Sequence, residues 1–535
     1  DKSRWQAAPV TAPLLITLQI FAYDLSVRGA HLDTTHAYFN GSCVFPCVAG
    51  RDARPCELDI RPPPAPHGKG WRVATSLKPL DAGRYDYGRY RAADYAELID
   101  HPVEIGELQI GEFEAGGIPH AIAIRGHPRV DMARLCKDLS TLCGRHLSFL
   151  GPPADLDRYL FLLHVVNDGY GGLEHRWSSS LVCSRGDLPK RGDGAVGNGY
   201  RKFLGLCSHE YFHLWNVKRM KPAAFIPCDL QAECYTGLLW VFEGITSYYD
   251  DLGLLRAGLI TEDSYLELLG QTITRVQRTR GRLRQTVEES SFDAWTKFYK
   301  QDANASNAIV SYYAKGALIA LALDLDLRHG TDDRVSLDDV MRECWRRWGE
   351  SGEGMPERGL EAVAAELSGM ELGDFFARYV RGTADLPLAQ LLRDAGIELH
   401  WRASDGRNDA GGKASANADK PLCPWLGARL AAAPGGHFFG VVHSGSPAEK
   451  AGIAPGDEAV ALNGVRLNTD TFDAQLREYT AGDRVTVTVF RRDELLTFKV
   501  TLAKPPEDTA WLTAVADGSA QQAARRKAWL TGSPP

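Results

Sequence analysis

FLGLCSHEYFHLWNVKRM, residues 203–220, carries two histidines four positions apart, His209 and His213, with Glu210 directly after the first. Read as a helix, four residues turn the chain by about 400°, so both imidazoles project from one face and can share one ion. A tetrahedral zinc site asks this of its first two ligands. With 15 histidines in 535 residues, a His-Glu-x-x-His string arises by chance in roughly one such chain in forty. The competing reading is a helix with two satisfied histidines and a surface glutamate. A third ligand decides between them.

Thirty residues beyond His213, Leu239–Asp251 reads LWVFEGITSYYDD, an apolar and aromatic helical stretch interrupted by Glu243. Burying that carboxylate is costly unless a cation or hydrogen bonds compensate it, so Glu243 is read as the third zinc ligand. The alternative is an ordinary acid at a helix start, stabilised by the dipole. Three protein ligands leave the fourth position to water, as in a catalytic zinc site, and Glu210 is then placed to act as general base. Asp250 follows Glu243 by seven residues, on nearly the same helix face, where it could orient a zinc-bound histidine. A solvated surface acid is the commoner role for such a residue.

Outward from this core the chain is too long for one hydrophobic core, and its reading is a multidomain α+β protein. Residues 1–155 are expected to form a β-rich N-terminal domain, with strands at Leu14–Tyr23 and Glu104–Phe113 separated by Pro- and Gly-rich breaks such as Arg61–Pro66. Residues 156–400 begin with a strand at Tyr159–Val166, pass a Gly-rich turn and become mainly helical. Residues 401–420 are expected to be a flexible linker, because Asp405–Asp419 is dense in Gly, Ala, Asn and Asp without aromatic or branched apolar side chains. Residues 421–505 carry strands at Phe438–His443, Glu458–Leu462, Arg484–Arg491 and Leu496–Leu502 with a helix at Thr471–Tyr479, and residues 506–535 form a C-terminal helix or tail.

Composition narrows the partners. Hydrophobic residues make up 44% and charged residues 24%, and no apolar run approaches the ~20 residues of a membrane span. A formal charge of -7 gives no reason to expect nucleic acid. Eleven cysteines without a CxxC pair argue against a complete disulfide framework and favour the cytoplasm. A periplasmic or secreted location follows instead if a signal peptide has been removed, since the sequence opens without Met.

The segments SVRGAHLD (26–33), GGLEH (171–175), HEYFHLWNVKR (209–219), FEGITSYY (242–249) and YYAKGA (312–317) together resemble the glycyl aminopeptidase family of gluzincin zinc metallopeptidases. The resemblance implies a β-rich N-terminal domain, a mainly α thermolysin-like catalytic domain and a C-terminal PDZ domain. It implies one Zn2+ per chain held by His209, His213 and Glu243, with Glu210 as base. It further implies that Tyr313, rather than its neighbour Tyr312, donates a hydrogen bond to the tetrahedral oxyanion. Gly171, Gly172 and Glu174 would form the substrate-binding turn, the glycines admitting the peptide backbone and Glu174 pairing with a free α-ammonium. The role of His175 stays open. The implied substrates are peptides with a free N-terminus, and the family name suggests glycine or alanine at that end.

Past the linker, WLGA (425–428), VHSGSPAEKAG (442–452) and PGDE (455–458) strongly resemble a PDZ domain, whose peptide loop would be Leu426, Gly427 and Ala428. Such domains add an extended C-terminal peptide to a sheet edge; a PDZ fold that only packs on its neighbour is the alternative. Two other functions compete with the aminopeptidase: a zinc endopeptidase with PDZ-presented substrates, and an inactive PDZ scaffold. The sequence does not give the oligomeric state.

Overall fold

The structure is a computed structural model and describes residues 4–416 and 421–532. The chain divides into two compact units: the first takes residues 1–111, 121–128 and 158–185, the second residues 112–120, 129–157 and 186–535.

The first unit is built on sheets. A four-stranded antiparallel sheet runs in the order Ala30–Leu32, His36–Phe39, Val103–Gly106, Arg72–Thr75. A second sheet runs in the order Tyr170–Glu174, Ser178–Ser184, Tyr159–Val166, Ile118–Arg125, Gln109–Ala115, with Tyr159–Val166 parallel to Ser178–Ser184; residues 112–120 of its last two strands count with the second unit. Between them sit Ala74, Leu108, Ala121, Ala123, Leu160 and Leu162, all buried. A bond of 2.9 Å from the Tyr38 hydroxyl to Ser180 joins strands of the two sheets.

Two strand expectations need correction here. Leu14–Tyr23 forms no strand; Leu15 and Phe21 are almost wholly exposed and only Tyr23 bridges, to His31. Apolar pattern supplies a face but not a partner, and the paired backbone begins only near Ala22. Glu104–Phe113 is not one strand but two, Val103–Gly106 and Gln109–Ala115, which break at Glu107-Leu108 and enter different sheets.

The second unit is mainly helical, and its helices that matter for the site are α1 (Met132–Leu150), α2 (Asn198–Phe212), α3 (Ile245–Arg256), α4 (Glu262–Arg278) and α5 (Ala314–Gly330). α1 starts on Asp131, whose side chain accepts from the Arg134 amide, and buries Leu135, Leu139, Leu142 and Leu147 on one stripe. α5 is buried nearly all round, as its Ala- and Leu-rich sequence requires of a central helix. A domain boundary at 155/156 does not match this division: α1 groups with the second unit, while the strands between Tyr159 and Ser184 group with the first. Among the described residues, no helix is long and apolar enough to cross a membrane.

The C-terminal sheet runs Ala428–Ala433, Gly436–Val442, Glu458–Leu462, Arg484–Arg491, Glu494–Thr501, flanked by helices Pro447–Ala451 and Phe472–Leu476 around a core that includes Phe439, Phe472, Val487 and Val489. The segment expected to be a flexible linker is tied down as far as it is described. Ile397–Arg402 pairs antiparallel with Thr509–Ala514, Arg402 binds Asp409 at 3.0 Å, and the Gly412 amide donates to the Ala510 carbonyl at 2.8 Å. Its glycines serve close packing rather than freedom: a Cβ on Gly412 would stand 2.3 Å from the Glu267 carbonyl oxygen of α4. Residues 417–420 of that expected linker lie outside the described residues. The C-terminal stretch is likewise not a loose tail, since the helix Ala520–Thr531 buries Trp529, whose indole donates to the Tyr248 hydroxyl at 2.8 Å.

Candidate active site

α2 carries His209 near its end, and His213 caps it, its amide donating to the His209 and Tyr211 carbonyls. The two rings stand 4.7 Å apart, centre to centre, and nearly perpendicular. Glu243 reaches them from a single wide turn, Trp240–Gly244, closed by the Ile245 amide donating to the Trp240 carbonyl five residues back before α3 resumes ordinary geometry. Such turns re-aim a side chain by inserting one residue into a helix. The result is convergence: Glu243 Oε2 lies 3.2 Å from His209 Nε2 and 3.3 Å from His213 Nε2.

Both outer imidazole nitrogens are anchored. His209 Nδ1 is 3.0 Å from Asp250 Oδ2, and His213 Nδ1 donates to the Asn216 carbonyl at 2.7 Å. The Nε2 atoms are thereby left pointing inward, which is the orientation a bound metal needs. Asp250 is itself supported: its carbonyl accepts from Ser208, which also meets His146 Nε2 at 2.9 Å. The carboxylate expected as an orienter thus stands in contact with His209. The donor atoms of His209, His213 and Glu243 lie within 4.8 Å of one another, and two imidazoles with one carboxylate fit a divalent transition metal.

Charge follows from this packing. Burial alone would raise the Glu243 carboxyl, but the adjoining His213 and His209 more than reverse that and hold it at about 2. Burial works against charge on His209 too, yet its bonds to Asp250 and Glu243 lift its pKa well above the usual imidazole range. Asp251, beside Asp250, is pushed up to about 8 by burial and by its neighbour's negative charge. Glu210 is buried one residue beyond His209.

α5 brings the phenols. Tyr313 caps its start, with its ring centre 6.2 Å from that of His209 and its hydroxyl 2.9 Å from the Tyr299 hydroxyl. Burial, reinforced by the Glu243 charge, raises the Tyr313 phenol well above its ordinary value, so it is a neutral donor near pH 7. Tyr312 is more deeply buried and donates to Tyr299 at 3.2 Å. α5 can approach the Glu243 turn this closely because glycine meets glycine: a Cβ on Gly244 would lie 2.6 Å from the Gly316 Cα.

Two contributors escaped the sequence reading. Asn216 holds His213 through its backbone carbonyl while its side-chain amide donates to the Val241 carbonyl and Thr246, locking the two ligand-bearing segments together. A buried amide inside the otherwise apolar HLWNV run was the available signal. Tyr299 comes from a separate turn and had none. Val217, just past His213, is a β-branched residue at φ +132°, a strained conformation held by the surrounding fold.

Gly171, Gly172 and Glu174 belong to the first unit. They were read as a turn but lie in an edge strand, Tyr170–Glu174, with Gly172 opposite Leu181 and Glu174 opposite Ser179. His175, whose role was open, pins the end of that strand: its Nδ1 lies 3.1 Å from Asp100 Oδ1, and the Arg176 amide donates to the other oxygen. In the C-terminal sheet, Leu426 is buried, Gly427 sits at φ +80° and Ala428 opens the edge strand Ala428–Ala433.

Comparison with known proteins places these features in context. A family model described as M61 glycyl aminopeptidase matches residues 202–319, one for the peptidase M61 N-terminal domain matches 1–107, and one for a PDZ domain matches 424–502. Among solved structures, an aminopeptidase N family protein from Idiomarina loihiensis is 40% identical with a TM-score of 0.90, over 96% of this chain and 85% of that one. An M1 zinc metallopeptidase from Deinococcus radiodurans is 13% identical with a TM-score of 0.44, over 69% of this chain and 75% of that one, a likeness too low to carry an argument. No curated protein matches the chain.

Proposed function

Since the chain belongs to the M61 glycyl aminopeptidase family, we propose that it is a zinc metallo-aminopeptidase that removes small residues, glycine and alanine first, from free peptide N-termini. His209, His213 and Glu243 hold one zinc ion at this site. The observation that carries this is the convergence of both Nε2 atoms on Glu243 Oε2, at 3.2 and 3.3 Å, while both outer nitrogens are occupied by other partners.

When bound, zinc supplies a Lewis acid that makes water nucleophilic near neutral pH. Glu210 takes the proton from the attacking water and passes it to the leaving amine. Tyr313, neutral and fixed against Tyr299, donates its phenolic hydrogen to the oxygen on which negative charge develops; one such donor is worth about 3–4 kcal/mol of barrier. Asp250 and Asn216 keep the imidazoles in register. Glu174 pairs with the substrate α-ammonium, and Gly171 and Gly172 let the peptide backbone approach their strand edge. That restricts cleavage to the first peptide bond.

The C-terminal domain offers an edge strand behind the Leu426–Ala428 loop, where a C-terminal peptide would add. The eleven cysteines all stand as free thiols, which supports a reducing compartment.

Release of glycine from glycyl peptides, with and without a chelator, tests the reaction; undiminished turnover after complete zinc removal overturns it. Glu174→Gln tests the exopeptidase assignment. It should abolish the preference for free over N-terminally blocked peptides; a variant that keeps its cleavage of blocked peptides intact, with blocked peptides outcompeting free ones, would point to an endopeptidase.

A further inference from the structure

The first unit contains a second cluster of the same donor composition as the active site. His36, Glu104 and His164 each offer one ligand atom, and the three atoms lie within 4.8 Å of one another. The residues come from three strands of two sheets. His36 lies on His36–Phe39 and Glu104 on Val103–Gly106, neighbours in the four-stranded sheet; His164 lies on Tyr159–Val166 of the other.

The cluster is buried and short of hydrogen-bond donors. His36 and Glu104 are 3% and 2% exposed. One buried polar atom of each residue has no hydrogen-bond partner among the described residues: His36 Nε2, Glu104 Oε1 and His164 Nδ1. For His36 the hydrogen bonding fixes the tautomer. The single hydroxyl proton of Thr35 goes to Asp33 Oδ1, 2.6 Å away, so at its 3.2 Å contact with His36 Nδ1 the Thr35 oxygen accepts. The proton of His36 is therefore on Nδ1, and Nε2 carries a bare lone pair. An acceptor lone pair and a carboxylate oxygen buried together are expensive, and the nearby buried Arg125 Nε, itself without a hydrogen-bond partner among the described residues, bonds to neither. A cation relieves both at once.

The space suits one ion. A void of about 10 Å³ touches Glu104 and His164, close to the volume of a single water-sized particle. A larger cavity of about 640 Å³ reaches His36 and His164 and is lined also by His31, Asp33 and Arg125, giving a route from solvent. Arg125 brings a positive charge to this cavity, with its Nη2 donating to the Thr35 carbonyl at 3.3 Å. Arg185 adds a second positive charge to the cavity lining, against the carboxylates of Asp24 and Asp33, and Glu104 at the adjoining void is the third acid that a bound dication would meet. Asp33, reaching His36 through Thr35, has the place of the carboxylate that orients a metal-bound histidine.

We propose that His36, His164 and Glu104 bind a second divalent transition-metal ion, zinc or one of its neighbours, which cross-links the two sheets of the N-terminal unit. Two imidazoles and a carboxylate select such ions over calcium or magnesium, which prefer all-oxygen sites. The site is independent of the catalytic one.

The test counts metal on the full chain. The His209→Ala/His213→Ala variant, purified without chelator and equilibrated with micromolar zinc, should retain one zinc per chain by elemental analysis. Adding His164→Ala should take this to none. Glu104→Gln, which keeps the shape but loses the charge, should weaken retention of that ion by at least ~10-fold in chelator competition with unchanged far-UV circular dichroism. Cobalt at this site should give a visible absorption band that His36→Ala removes. A His209→Ala/His213→Ala chain with no bound zinc, or one whose zinc survives His164→Ala, overturns the proposal. Failure of the active-site reading looks different: the double alanine variant would then hold as much zinc as the wild type.

Discussion

Gly244→Ala is a sharp test of how the fold places Glu243. A Cβ at position 244 would stand 2.6 Å from the Gly316 Cα and 2.8 Å from the Tyr312 carbonyl oxygen, both backbone atoms that cannot swing aside. Ordinary contact begins at 3.4 Å, so the Glu243 turn and α5 must separate by about 0.8 Å. Overpacking of this kind costs ~1–3 kcal/mol of stability. The larger effect is on catalysis, because Glu243 moves with one partner and Tyr313 with the other. Misplacement by ~1 Å costs up to ~100-fold in rate, so kcat on a glycyl peptide should fall ~10–100-fold even when the variant is saturated with zinc. Steady-state kinetics at saturating zinc, alongside thermal unfolding, reads both terms. An alanine variant with kcat within twofold of the wild type and an unchanged Tm would refute the claim that this glycine pair sets the active-site spacing.

Three further outcomes follow from the same reasoning. Gly144→Ala, inside α1 with nothing within 4 Å of the new Cβ, should instead stabilise by ~0.5–1 kcal/mol in denaturant unfolding. Tyr313→Phe should lower kcat by ~100–1000-fold, whereas Tyr299→Phe, which removes the 2.9 Å bond that steadies Tyr313 together with the 3.2 Å bond from Tyr312, should cost about fivefold with KM unchanged. Asp338→Asn leaves Arg256 buried without its ion-pair partner at 3.0 Å and should destabilise by ~3–5 kcal/mol. Burial alone would raise the Asp338 carboxyl, but Arg256 more than reverses this and lowers it. The contribution is therefore present above the unfolded carboxylate value near ~4 and is lost as pH falls below it, so the wild type and Asp338→Asn should converge in stability in acid.

Much of the site was legible because its parts are local. The four-residue histidine spacing is a property of one helix, and an acid inside LWVFEGITSYY has few ways to be buried. Asp250 follows Glu243 on nearly the same helix face, so period made its contact with His209 one of two readings, against the commoner solvated surface acid. Tyr299 could not, because its meeting with Tyr313 is set by where two separate turns land. The same limit explains the errors in the fold. Leu14–Tyr23 has the composition of a strand but is offered no partner along most of its length, and pairing is a tertiary matter. Glycines at 411 and 412 look like freedom in sequence; in the structure they are the only residues that fit against α4 and the strand Thr509–Ala514. The His36, Glu104 and His164 cluster is the extreme case, spread over 129 positions and gathered only by sheet pairing.

The central claim is that Glu210 is the base beside a metal held by His209, His213 and Glu243. Glu210→Gln separates the two parts, because it removes the proton acceptor and leaves every ligand in place. Zinc content and glycine release should be measured on the same preparation. The account predicts zinc per chain equal to the wild type, with kcat reduced by ~100–10,000-fold. A Glu210→Gln enzyme that binds its zinc and turns over at the wild-type rate would contradict it.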